Sequence, residues 1–363
     1  MPKTIAAQCI RHGCPGQMIG PFRSLLTTFL LQRIIEEKNI QISSFYLKNY
    51  LFSLQLNVFY GSRMRKQLRL LVEFARPHTV IATSVQVLTM LIIVIGWHPP
   101  TLKLVGLVGV TLVVCLALNL YVVGVNQLTD VAIDRINKPW LPVAAGQLSL
   151  DAAQRIVSTA LFVTLIGAAM LGPPLWWTVS IIALIGSLYS LPPLRLKRHP
   201  LAAALSIAGA RGVIANLGLA FHYQYWLDSE LPITTLILVA TFFFGFAMVI
   251  ALYKDLPDDR GDRLYQIETL TTRLGPRRVL HLGRMLLTAC YLLPITVGLW
   301  SLPTFAATFL ALSHAVVIIV FWLVSMRVDL QRRQSIASFY MFLWGIFYTE
   351  FALLSIYRLT YTL

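Results

Sequence analysis

Long stretches of this chain run without a single Asp, Glu, Lys or Arg. Residues 77–102, 104–129, 156–194, 212–227, 231–253 and 285–326 are all free of the four. A helix that crosses a bilayer needs about 20 apolar residues. Two of the stretches are too long for one crossing. The first is interrupted by Gly172-Pro173-Pro174 and the second by Leu302-Pro303-Thr304, and each interruption reads as a tight turn between helices. Two further stretches carry one charge each: 199–220 holds Arg211 and 334–357 holds Glu350. The pattern predicts nine helices, at about 79–97, 104–128, 154–171, 174–191, 200–220, 232–252, 284–300, 304–325 and 335–357. The runs are continuously apolar rather than alternating, which excludes a membrane β-barrel. The predicted fold class is an all-α integral membrane protein, a bundle of nine transmembrane helices.

Composition agrees. The chain is 57% hydrophobic and 12% charged, against roughly 25% charged in soluble domains, and its mean hydropathy is +0.71. A net charge of +15 would suit a nucleic-acid binder, but its distribution argues against one. With nine helices the connections alternate between two sides. Those at 126–155, 191–200, 253–284 and 326–334 hold 16 Lys or Arg, while those at 97–103, 172–174, 220–231 and 300–304 hold only Lys103. Such asymmetry reports orientation, with the basic loops and the N-terminus cytoplasmic. No nucleic-acid partner is expected; the partner is the lipid bilayer.

Residues 1–63 read differently, with an apolar patch at 25–35 beside Glu36, Glu37 and scattered Lys. They resemble neither a secretory signal nor a transit peptide. They are expected to be a dispensable extension with Met64 as the working start, and 64–363 a single membrane domain. Cys9, Cys14, Cys115 and Cys290 form no metal or disulfide pattern.

The acids are unevenly placed. Of nine Asp, six fall in two short segments on the basic side: Asp130 and Asp134, then Asp255, Asp258, Asp259 and Asp262. Acids this close to a membrane core are costly and are commonly functional. Asn126, Asp130 and Asp134 recur at i, i+4 and i+8, on one face of a helix. Like charges at that spacing repel, and a divalent cation reverses the sign. Carboxylate and amide oxygens suit Mg²⁺, which keeps waters and recruits substrate phosphates. Pro257 and Gly261 make the second segment a helix end and loop. The same loops carry Arg135, Lys138, Arg195, Lys197, Arg198, Arg260 and Arg263. Lys and Arg grip phosphate oxygens, although the positive-inside rule alone also places them here. Tyr189, which opens the Tyr189-Ser190-Leu-Pro192-Pro193 loop, joins the substrate-binding candidates.

These residues resemble the UbiA superfamily of intramembrane prenyltransferases. The string from Asn126 through Asp130, Asp134, Lys138, Pro139 and Pro142 to Gly146 resembles its homogentisate-prenylating branch, as do Phe74–Thr79, Arg211–Gly218 and Phe339–Tyr348. The resemblance covers about 70–360. It implies that Asn126, Asp130, Asp134, Asp255, Asp258 and Asp262 bind Mg²⁺ and the diphosphate, with Asp130, Asp134, Asp255 and Asp262 the catalytic set. It implies Arg195 or Lys197 on the diphosphate; Asn126, Arg135, Lys138, Tyr189, Arg211 and Arg263 join them as candidate substrate contacts. The implied reaction transfers a prenyl group, phytyl being the expected chain, from its diphosphate to homogentisate with decarboxylation. The product would be 2-methyl-6-phytyl-benzoquinol, a step of tocopherol biosynthesis. A cyanobacterial member would sit in the plasma or thylakoid membrane.

Other readings remain beside this one. Within the enzyme class they are geranylgeranyl or solanesyl transfer to homogentisate, chlorophyll synthase, or another quinone prenyltransferase. From a different class, a polytopic transporter would show repeated halves, which the chain lacks. For Arg211 two readings are open: a pair with the homogentisate carboxylate, helped by Asn216 or His222, or a contact with a helix end or buried carbonyl. His78 and His314 read as packing residues. Phe242, Phe243, Phe244 and Phe246 line either a prenyl tunnel or a packed core.

Overall fold

The computed structural model describes residues 62–264 and 268–361, so nearly all of the expected extension lies outside it. Met1–Val72 and Glu73–Leu363 separate into two compact units, and the second holds the bundle and the site. Helix α1 is Ser62–Phe74; α2 is Pro77–Ile95; α3 is Leu102–Thr129; α4 is the short Val131–Asn137; α5 is Leu150–Met170; α6 is Pro173–Ser190. A rod from Pro200 to Leu227 follows, made of α7 (Pro200–Ile207), a π-helical stretch (Ala208–Ile214) and α8 (Ala215–Leu227). Then come α9 (Ile233–Tyr253), short α10 (Asp259–Leu264) and α11 (Leu270–Leu274), α12 (Pro276–Trp300), α13 (Phe305–Met326) and α14 (Arg333–Tyr361). Among the described residues there is no strand.

Eight of these helices are long and apolar enough to cross a membrane. The remaining expected one, 174–191, is present as α6, but Pro173, Pro174, Trp176 and Trp177 in its opening turn leave it less apolar than the other eight. α12 begins at Pro276, ahead of the expected start at about 284, with an Arg277-Arg278 opening that the charge-free criterion passes over.

Sequence punctuation sets the helix ends. Pro occupies the first turn of α2, α6, α7 and α12, where its missing N–H would be unpaired anyway. Thr101, Ser149 and Thr304 cap α3, α5 and α13 by accepting from Leu104, Ala152 and Ala307 N–H groups. Gly172 turns between α5 and α6 at φ +96, where any added Cβ would meet the Tyr225 ring at 2.9 Å.

α9 is the most buried helix and sits at the centre. Phe242, Phe243 and Phe246 pack there against Tyr291, His314, Phe347 and Phe351. These rings form a filled core. His314 does more than pack: its Nε2 lies 2.6 Å from Glu350 Oε1, and both side chains are fully buried. At the ends away from the acids, Trp97, Trp177, Tyr225, Trp300 and Phe305 are exposed, as the aromatic belt of a membrane interface is.

Candidate active site

α3 ends at Thr129, and the chain does not run on as one regular helix through the first acid segment. Asp130 takes φ −114 and ψ 17, and α4 starts at Val131. The expectation of one continuous helical face is corrected to this extent. The cause is charge: two cations from the loop after α6 draw Asp130 sideways. Arg195 Nη2 is 2.9 Å from Asp130 Oδ1, and Lys197 Nζ is 2.7 Å from the same oxygen. They also donate to Thr129, Arg195 to its carbonyl at 3.2 Å and Lys197 to its hydroxyl at 2.9 Å. The backbone ladder survives the break, with Asp130 N–H on Asn126 O at 3.1 Å and Asp134 N–H on Asp130 O at 2.8 Å. Asn126 Nδ2 donates to Asp130 Oδ2 at 3.1 Å, so the three motif residues stay stacked.

Both Arg195 and Lys197 reach Asp130. Arg195 is left-handed, at φ +39, an uncommon state for a residue other than Gly and one that clusters at functional sites. That twist lets residues 195 and 197 face the acid while Arg198 is exposed.

The second segment turns through Lys254–Asp258 before α10, so Asp262 lies on a short helix rather than a loop. Two contacts join it to α4. Asn137 Nδ2 donates to Asp262 Oδ1 at 3.1 Å, and Lys138 forms an ion pair with Asp258. Asp255 pairs with Lys254. Tyr189, at the end of α6, lies within electrostatic reach of Lys254, Asp255 and Asp130. The two acid segments therefore face each other across one small region.

Two expected substrate contacts point elsewhere. Arg135 is exposed, and Arg263 pairs with Asp259 at 3.0 Å near the surface. Each follows a buried Asp by one residue, and adjacent positions on a helix do not share a face.

Burial governs the acids. It pushes Asp134 up to about 6 against the pull of Lys138 and Arg76. It pushes Asp262 up to about 7, with Asp258 and Asp255 adding to the rise. Burial also lowers Lys197, opposed by Asp130. Asp134 Oδ2 is buried, with no hydrogen-bond partner among the described residues. Asp134 and Asp262 have no ion-pair partner among the described residues, and the donors of the set are all hard oxygens, so it fits Mg²⁺. Among the described residues no three carboxylates converge into a finished metal site; Lys138, Arg195, Lys197 and Lys254 hold them instead.

Four contributors escaped sequence reasoning. Asn137 and Lys254 are two. Arg76 is the third: it adopts φ +57 just before α2, within electrostatic reach of Asp134. Asn119 and Gln127 of α3 fix that bend by donating to the Ala75 and Phe74 carbonyls at 3.2 and 2.6 Å. The fourth is Trp344, whose ring lies 5.2 Å beneath the Arg211 guanidinium. Arg211 has no carboxylate partner among the described residues. Asn216 is close by, donating to the Arg211 carbonyl at 3.4 Å. His222 is not, since its Nε2 sits 2.9 Å from Thr111 Oγ1.

Comparison with known proteins identifies this arrangement. Residues 83–346 match the UbiA prenyltransferase family. The chain is 40% identical over 284 residues to homogentisate phytyltransferase of Synechocystis sp., covering 77% of this chain and 92% of that one. It is 36% identical over 303 residues to homogentisate geranylgeranyltransferase of Triticum aestivum, covering 81% and 74%. The fold matches a UbiA homolog from Archaeoglobus fulgidus bound to GPP and Mg²⁺, with a TM-score of 0.58 at 16% identity over 80% of this chain and 99% of that one. A bundle of apolar helices with two buried Asp segments facing each other at one end is thus a multi-pass membrane enzyme that transfers prenyl groups, and the chain belongs to the UbiA prenyltransferase family.

Proposed function

We propose that this enzyme transfers a prenyl group, phytyl in preference to geranylgeranyl, from its diphosphate to homogentisate. The observation that carries the reading is the pair of facing acid segments, held by Asn137 on Asp262 and Lys138 on Asp258, with Lys197 and Arg195 converging on Asp130. The named relatives support the acceptor.

Asn126, Asp130, Asp134, Asp255, Asp258 and Asp262 would hold Mg²⁺. The metal supplies Lewis-acid neutralisation of the charge that grows on the diphosphate as its C–O bond breaks. Lys197, Arg195, Lys138 and Arg76 bind the diphosphate oxygens, with Tyr189 beside them. Arg211 holds the acceptor's carboxylate over the Trp344 ring. The prenyl carbon loses its C–O bond to the diphosphate, which leaves with the electron pair. An unsubstituted ring carbon beside a hydroxyl forms the new C–C bond and gives up its proton. The side chain's carboxylate departs as carbon dioxide, and a proton replaces it to give the methyl group of a 2-methyl-6-prenyl-benzoquinol. The enclosing apolar helices exclude the water that would capture an allylic cation. The basic face, with the site, is on the cytoplasmic or stromal side.

The test is purified protein with homogentisate, phytyl diphosphate and Mg²⁺. Wild type forms product; Asp130→Ala and Asp262→Ala, each still monodisperse in detergent, do not. Robust turnover by either would overturn the metal-site assignment.

A further inference from the structure

The rod from Pro200 to Leu227 changes winding at Ala208–Ile214, where it becomes a π-helix. Such a stretch takes in an extra residue, so carbonyls around it lose their normal partners, and short π-bulges are frequent at functional sites. Inside a bilayer those carbonyls must be satisfied by the protein itself.

Two buried amides do this. Asn216 Nδ2 donates to Gly212 O at 2.8 Å and more weakly to Arg211 O at 3.4 Å. Gln86, from α2, donates from Nε2 to Asn216 Oδ1 at 2.7 Å and to Arg211 O at 3.4 Å. Gln86 is 4% exposed and Asn216 fully buried. From the far side α9 presses on the turn: a Cβ on Gly212 would lie 2.4 Å from the Phe243 carbonyl oxygen. The bulge is therefore fixed by the chain's own Asn216, by the α2 amide and by the α9 backbone.

What the bulge presents is Arg211. A charge at this depth with no acid partner among the described residues is costly. A cation–π contact such as that with Trp344 recovers only about 0.5–2 kcal/mol. The floor around it is aromatic. The His78 ring is 5.1 Å from Trp344, and Tyr348 donates its hydroxyl to His78 O at 2.7 Å. Tyr340 is within electrostatic reach of Arg211, Arg76 and Lys254, which ties this floor to the acid segments. An unpaired guanidinium above aromatic rings suits a ligand that is both a ring and a carboxylate.

We infer that Gln86 and Asn216 are positioning residues for the acceptor. By capping the carbonyls of the π-turn they aim Arg211, and through it they set the preference for acceptors that carry a carboxylate. The inference rests on the assignment of Arg211 to the acceptor carboxylate.

The experiment is steady-state kinetics on purified wild type, Gln86→Met, Asn216→Ala and Arg211→Met, with homogentisate and prenyl diphosphate varied independently. Gln86→Met keeps length and bulk; Asn216→Ala removes the caps from the other side, so one variant serves if the other does not fold. Losing a hydrogen bond of this kind predicts a rise of about 5- to 10-fold in the KM for homogentisate in both. The KM for prenyl diphosphate stays within about twofold, which a general loosening of the fold would not spare. Arg211→Met raises the homogentisate KM further still. If both amide variants keep the wild-type homogentisate KM, or raise both KM values together, the inference is wrong. If Arg211→Met alone raises it, the Arg211 assignment stands without the positioning role. If Arg211→Met leaves it unchanged, the assignment falls and the inference with it, whatever the amide variants do.

Discussion

Replacing Lys197 by Met removes one of two cations that share a single carboxylate oxygen. Lys197 Nζ is 2.7 Å from Asp130 Oδ1 and Arg195 Nη2 is 2.9 Å from it, with the Lys197 and Asp130 side chains only 12% and 14% exposed. A hydrogen bond to a charged group is worth about 1.5–3 kcal/mol. Arg195 stays behind to cover Asp130, so the lower half of that range applies, which is a loss of about 10- to 40-fold in kcat/KM for prenyl diphosphate. Arg195→Met behaves alike. The double variant leaves Asp130 beside Asp134 with neither cation, and its loss exceeds the sum of the singles by about 1–3 kcal/mol. The assay varies prenyl diphosphate at saturating homogentisate and Mg²⁺, and then varies homogentisate, whose KM stays put. Singles and double that all retain wild-type kcat/KM, or an effect that falls on the acceptor KM, would refute the placement of the diphosphate at this loop.

Other outcomes follow from the structure. Because burial holds Asp134 and Asp262 up at about 6 and 7, metal must displace protons; half-saturating Mg²⁺ rises as pH falls from 8 to 6, by up to about tenfold per unit for one proton. The sign for stability is the reverse of a salt-bridged acid: a protonated carboxyl costs less to bury than an ionised one, so the metal-free protein in EDTA melts higher at pH 5.5 than at pH 8, and a flat profile would count against the shifts. Asn137→Ala strips Asp262 of its amide donor and raises half-saturating Mg²⁺ by about 10-fold; Arg333→Met, which loses the grip of Arg333 on the Asn137 carbonyl, acts in the same direction more weakly. Glu350→Ala breaks the buried pair with His314 at a cost of about 3–5 kcal/mol, seen as a Tm lower by about 10 °C in detergent, whereas the double change Glu350→Leu with His314→Phe restores most of it.

The helices were legible because charge-free runs and Gly or Pro punctuation are local signals. The two Asp segments were legible because acids are scarce in this chain. What escaped depends on backbone states without a sequence signature. Nothing in the letters marks Arg195 and Arg76 as left-handed, yet that state brings each side chain to the acids. The break at Asp130 arises from cations some 65 residues onward. Arg135 and Arg263 each lie one step of helical phase from a buried Asp, and their side chains are exposed. The π-turn at 208–214 was invisible because its amides, Gln86 and Asn216, lie 130 residues apart. His314 and Glu350 likewise meet only through the packing of α13 on α14.

The most direct measurement is the mass of the product formed by purified protein offered homogentisate with phytyl, geranylgeranyl or solanesyl diphosphate, in Mg²⁺ and in EDTA. The account predicts a product equal to the prenylated ring less carbon dioxide, formed fastest from phytyl diphosphate and absent in EDTA. No product from homogentisate with any of the three diphosphates, or equal product in EDTA, would contradict it.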